Sequence, residues 1–115
     1  MNGNKIALDY SLRVTSGHET KRLRRNVYDI YAEILYESMD LLRTSRIGMR
    51  AGLNYTNAVK HIKTLEKNGL IKPVKKWNII NDFEYLAGYV TTEKGINFIK
   101  YYKIIVNLLN ERDKF

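Results

Sequence analysis

At 115 residues the chain has the length of one domain with a modest core, and its 44% apolar and 28% charged content belongs to a folded protein rather than a disordered one. With no cysteine it makes neither disulfides nor thiolate zinc sites, which fits a cytoplasmic protein, and no apolar run nears the ~18 residues of a membrane helix. Its net charge of +8 points to a polyanionic partner.

Residues 6–14, IALDYSLRV, alternate apolar and polar side chains and read as a strand with one buried face, rather than as the continuous apolar core of a signal peptide. Such a strand needs a partner, either in its own chain or across a dimer. Ser16-Gly17-His18-Glu19 has capping-box spacing, and Thr20 is an equally good cap, for a first helix extending to Leu42. Along it Leu23, Val27, Ile30, Tyr31, Ile34 and Leu35 recur at three and four. Its first turns carry Lys21, Arg22, Arg24 and Arg25, which oppose the helix dipole unless an anion such as phosphate sits there; Arg22 and Arg25 are the candidate contacts.

Thr44 or Ser45 can cap a short second helix that stops at Gly52, with Leu53 as the apolar plug of the turn. A third helix starts near Asn54 and ends at Asn68-Gly69. LIKPVKKW (70–77) and EYLAGYVTT (84–92) read as two strands of a hairpin, the first an edge strand because it contains Pro73. Thr92 then caps a last helix running to about Asp113. This order predicts a mainly α (α+β) winged helix-turn-helix with a two-stranded wing, an extra N-terminal strand-like segment and a long C-terminal helix. The corresponding organisation is an N-terminal extension (1–19), the winged domain (20–92) and a C-terminal helix (93–115) expected to dimerise.

The charge is segregated. Residues 41–78 hold nine bases and one acid, Glu66, while the rest of the chain holds eleven of each. On a helical wheel, Ala58, Ile62 and Leu65 form the buried stripe of the third helix, and Thr56, Lys60, Lys63 and Lys67 lie opposite, with Asn57 and Thr64 at one edge. The N-terminal half of such a helix enters the major groove of DNA. Asn57 can pair with adenine, Thr56 can offer its methyl to thymine, Lys60 suits guanine or phosphate, and Tyr55 can reach a phosphate, leaving Asn54 as the cap. Lys72, Lys75 and Lys76 make a basic wing. Beside them, Trp77 either stacks on a sugar or base or, the preferred reading, packs against the domain or a partner subunit. His61, at the edge of the buried stripe, is read as a packing residue.

TSRIGMRAGLNYTNAVKHIKTLEKNGLI (44–71) and GYVTTEKGINFIKYY (88–102) resemble the small archaeal-type winged helix-turn-helix DNA-binding proteins. These comprise single-domain transcriptional regulators and chromatin-associated dimers joined by a long C-terminal helix. The resemblance spans about residues 25–113, is sharpest at RIGMRAGLNY, and implies double-stranded DNA as partner. By position it implies contacts from Arg46, Tyr55, Thr56, Asn57, Lys60, Lys63, Lys75 and Lys76. The pattern of bases and polar residues adds Arg50, Thr64 and Lys72. Residues 1–15 lie outside the resemblance, and the stretch between the wing strands, with Ile79, Ile80 and Phe83, departs from it.

In the last helix, Ile99, Tyr102, Val106 and Leu109 follow a heptad-like spacing, widened by Phe98, Ile105 and Leu108; this predicts a homodimer interface. Two-fold symmetry would set two third helices about one DNA turn apart on a palindromic site. Two histidines, no cysteine, no paired carboxylates and no glycine-rich phosphate loop leave nothing equipped for catalysis, and no cofactor, metal or small-molecule ligand is expected. The expected function is transcriptional regulation in the cytoplasm, in association with the nucleoid. The alternatives are a winged helix used for protein contacts and an architectural DNA binder with little sequence preference.

Overall fold

The first helix opens on a reciprocal cap. Asn26 Oδ1 accepts hydrogen bonds from the amides of Tyr28 (2.8 Å) and Asp29 (3.0 Å), and Asp29 Oδ2 accepts one from the Asn26 amide at 3.1 Å. These bonds satisfy donors that a helix N-terminus otherwise leaves unpaired. The computed structural model describes residues 25–113. The strand expected over 6–14, the caps at Ser16 and Thr20, and Arg22 therefore lie outside the described residues. Helix α1 (Val27–Glu37) is shorter than expected at its other end too, because the Ser38 amide closes it on the Ile34 carbonyl at 2.9 Å. Leu42, expected in this helix, instead exchanges two backbone hydrogen bonds with Tyr89 (3.2 and 2.8 Å) and so fastens the wing to the body.

Helix α2 (Thr44–Ala51) begins after Arg43, which takes the N-cap position with extended backbone and no side-chain cap. Neither Thr44 nor Ser45 caps it, because both are already inside the helix. Gly52 ends it at φ 71°, a left-handed conformation in which a side chain would be strained. Leu53 then tucks against the core. Helix α3 (Tyr55–Lys67) crosses α2 where a Cβ added to Gly48 would lie 2.9 Å from the Cβ of Ala58, so this glycine permits the close approach.

Beyond Asn68 and Gly69, β1 (Ile71–Asn78) and β2 (Phe83–Thr91) form an antiparallel hairpin with a bulge between Val74 and Lys75. The hairpin is longer than the alternation pattern implied: Asn78 pairs with Phe83, leaving only residues 79–82 as the tip. Asn78 holds that tip by accepting from Asn81 at its side chain (3.0 Å) and from Asp82 at its carbonyl (2.8 Å). Thr92 caps helix α4 (Glu93–Asp113), accepting from the Gly95 amide at 3.1 Å while its hydroxyl donates to the Gly69 carbonyl at 2.6 Å.

The core joins Ile34 and Leu35 of α1, Ile47 of α2, Ile62 and Leu65 of α3, Ile71 of β1 and Ile99 of α4, all essentially inaccessible. Each such side chain stabilises the fold by about 1.5–3 kcal/mol relative to exposure. Tyr102, only 9% exposed, belongs to the same cluster and donates its hydroxyl to Asp29 on α1. The expected dimer stripe is thus corrected: Ile99 and Tyr102 face their own domain, Val106 packs half-buried against that core, and only Leu109 is exposed. The outward face of α4 carries Tyr101, Ile104, Ile105, Leu108 and Leu109, each 47–65% exposed.

Candidate nucleic-acid interface

One residue of the polar run at the start of α3 is used up by the fold: Asn54 Oδ1 accepts from the Asn57 amide at 2.8 Å. The helix then buries Ala58, Ile62 and Leu65, and this orientation forces Tyr55, Thr56, Asn57, Lys60, Lys63 and Thr64 outward, all exposed. The side chains of Thr56, Asn57, Lys60 and Lys63 make no hydrogen bond or ion pair with another described residue. They form a polar, cationic ridge with its donors and acceptors open to a ligand. Thr64 is less open, since its hydroxyl donates to the Lys60 carbonyl at 3.2 Å.

The wing contributes Lys72, Lys75 and Lys76, all exposed. Lys76 is brought to the start of α2, where it lines a groove of about 410 Å³ together with Arg43, Ser45, Arg46 and Tyr85. No carboxylate lines this groove. Arg43, Ser45 and Tyr85 were not singled out as site residues in the sequence. Arg43 contributed to the basic excess, yet nothing local shows that residues 43–46 and 76–87 share one wall.

Other cations are placed differently. Arg25 turns inward: its guanidinium pairs with Glu33 at 2.8 Å and donates to the carbonyls of Ala51 (2.5 Å) and Gly52 (3.2 Å), which caps the C-terminus of α2. It holds the turn before α3 instead of standing free for a phosphate. Arg50 is exposed but lies 3.7 Å from Glu37. Trp77 is 57% exposed and so is not packed into its own domain.

His61 is half-buried and meets the Tyr31 ring edge-on, with centroids 5.6 Å apart, so it packs α3 on α1. Burial, reinforced by the charges of Lys60 and Arg25, pushes its pKa below the ordinary 6.5. A neutral imidazole adds nothing to the basic ridge beside it.

Three helices, a hairpin fastened behind them and an outward-facing third helix have a counterpart among known families: the model of the winged helix-turn-helix family matches residues 24–110. The chain belongs to the winged helix-turn-helix family. No curated protein matches it in sequence. Among solved structures it is similar to Sso10a-2, a DNA-binding protein from Sulfolobus solfataricus, with a TM-score of 0.54 and 28% identity over 78% of this chain and 92% of that one. It is also similar to MepR, a transcription regulator of the Staphylococcus aureus multidrug efflux pump MepA (TM-score 0.56, 12% identity, 93% of this chain and 75% of that one). PcaV, a transcriptional regulator from Streptomyces coelicolor, aligns with a TM-score of 0.53 and 16% identity, over 86% and 71% of the two chains.

The chain therefore has the fold of winged-helix DNA-binding transcription regulators, with α2 and α3 as the helix-turn-helix and β1–β2 as the wing. Among the described residues no group of three His, Asp or Glu could hold a metal ion, and no helix is long and apolar enough to cross a membrane.

Proposed function

We propose that this winged helix-turn-helix protein is a transcriptional regulator that reads the major groove of double-stranded DNA with α3 and grips phosphates with the wing. The observation that carries this reading is the exposed ridge of Tyr55, Thr56, Asn57, Lys60 and Lys63 on the outward face of α3. Bidentate amides and short hydroxyl side chains suit base edges, whereas lysines suit phosphates. Lys72, Lys75 and Lys76 add sequence-independent grip, as do Arg46 beside the wing and, more weakly, Arg50 and Thr64. The role is non-enzymatic.

The protein acts as a homodimer through the outward face of α4. Tyr101, Ile105 and Leu108 repeat at four and three on one exposed side of the helix, flanked by Ile104 and Leu109, which is the pattern of a helix seam. Apolar surface of this extent on a single helix is better accounted for by a second copy than by water.

Selection of bound duplexes from a random-sequence pool tests the reading as a whole. The expected result is an enriched two-fold-symmetric site with half-sites about one helical turn apart. Binding without enrichment would make the protein an architectural binder. Failure to retain duplex even at low salt would turn attention to the exposed Trp77, Ile79, Ile80 and Phe83 as a protein-contact surface.

A further inference from the structure

The groove between the start of α2 and the wing differs chemically from the α3 ridge. Its cations come from two segments far apart in sequence, Arg43 and Arg46 on one wall and Lys76 on the other, and no carboxylate lines it. None of the three forms an ion pair with another described residue. Like charges gathered in a concave space repel one another until an anion enters. At about 410 Å³ the groove also falls in the range of about 300–1,000 Å³ usual for small-ligand sites.

The second feature is aromatic. Tyr85 lines the groove and lies opposite Lys76 in the hairpin register, and Phe83, two residues earlier in β2, shares its face. The two rings stand 6.0 Å apart, tilted by 57°, and are 45% (Phe83) and 36% (Tyr85) exposed. A basic groove continued by exposed rings is the arrangement that holds unpaired bases, with the backbone on the cations and the base faces on the rings. Duplex DNA presents base edges and hides base faces in its own stack, so rings of this kind meet base faces far more readily in a single strand.

We infer that this groove and the Phe83–Tyr85 face form a site for single-stranded DNA, distinct from the α3 ridge. It shares Arg46 and Lys76 with the duplex grip proposed above and is set apart from that grip by Arg43 and the two rings. Arg43, Arg46 and Lys76 take consecutive phosphates while Tyr85 and Phe83 stack on the bases attached to them. The site does not depend on base-edge recognition by α3.

The test compares binding of a labelled thymidine oligonucleotide, about twelve residues long, with binding of a mixed-sequence duplex. Phe83→Ala/Tyr85→Ala, which removes two stacking partners, should bind the single strand at least about 30-fold more weakly and leave duplex affinity within about twofold of the parent. Both positions lie on the wing outside the buried core, so the variant should keep the fold, and its binding is measured below its own melting temperature. Arg43→Ala should flatten the log-log salt dependence of single-strand binding by about 0.7. Lys63→Ala, on the ridge, should weaken the duplex alone. The proposal is overturned if the parent protein does not bind the oligonucleotide or if the double variant binds it unchanged. It is equally overturned if single strand and duplex lose affinity in parallel, because the groove is then a duplex backbone clamp.

Discussion

Tyr102→Phe separates the two roles open to the inner face of α4. The substitution keeps the ring, which is 91% buried in the structure, and removes only the hydroxyl that donates to the Asp29 carboxylate. Asp29 also holds the α1 cap through the Asn26 amide at 3.1 Å, so the lost bond loosens a junction where α4, α1 and the cap meet. A hydrogen bond to a charged group contributes about 1.5–3 kcal/mol, and a half-buried carboxylate that recovers some water places the expected loss near the lower end, about 1.5 kcal/mol. For a domain of this size that corresponds to a fall in Tm of roughly 6–12 °C. Thermal unfolding followed by circular dichroism across about a tenfold range of protein concentration measures it. The gap between parent and variant should be the same at every concentration, since both partners of the bond are in one chain. A gap that widens on dilution would place Tyr102 at a subunit interface, and no gap at all would refute the structural role assigned to its hydroxyl.

Leu108→Glu, on the outward face of the same helix, should shift the protein to monomer in sedimentation while the isolated domain keeps its fold, because the side chain is 59% exposed. Asn57→Ala should reduce discrimination among duplex sequences, whereas Lys75→Ala should weaken all sequences alike and flatten the salt slope by about 0.9; equal relative affinities in Asn57→Ala would remove α3 base reading. His61 titrates below 6.5 in the folded chain, so the unfolded chain takes up the proton first as pH falls. Its contribution to stability is therefore intact above 6.5 and is lost as pH falls through the lower folded value. His61→Phe should flatten the acid side of a denaturation-against-pH curve, and an unchanged curve would show that the burial and neighbouring charges do not shift it. Gly48→Ala should destabilise by about 1–3 kcal/mol in chemical denaturation, since the new methyl meets Ala58 at 2.9 Å and neither backbone can yield cheaply.

Local chemistry was enough to place most elements. Asn54 before an Ala58–Ile62–Leu65 stripe marks both the start of α3 and the face that turns outward, because a helix with one apolar side has one way to pack. Gly52 and Gly69 mark helix exits, at φ 71° and 76°, since only glycine takes that conformation without strain. Where two local solutions competed, the pattern misled. The Asn26-x-x-Asp29 spacing is as readable as the box at Ser16 and the cap at Thr20, yet the apolar stripe beginning at Leu23 points to an earlier start. Leu42 continued an apolar stripe, and what takes it out of the helix is a backbone partner, Tyr89, 47 residues away. Arg25 looked like a free cation until the fold brought the Ala51 and Gly52 carbonyls to it.

From the residues alone came the family architecture, the segregation of positive charge into residues 41–78 and the polar outward face of α3, because periodicity, caps and charge act between near neighbours. Tertiary structure alone decided which apolar side of α4 is inside, since 99–102–106 and 101–105–108 both satisfy helical spacing and only the Asp29 carboxylate and the core behind it break the tie. It alone also brought Arg43, Arg46, Lys76 and Tyr85 around one groove, because a hairpin and a helix start separated by some thirty residues acquire a common wall only when the chain has closed on its core.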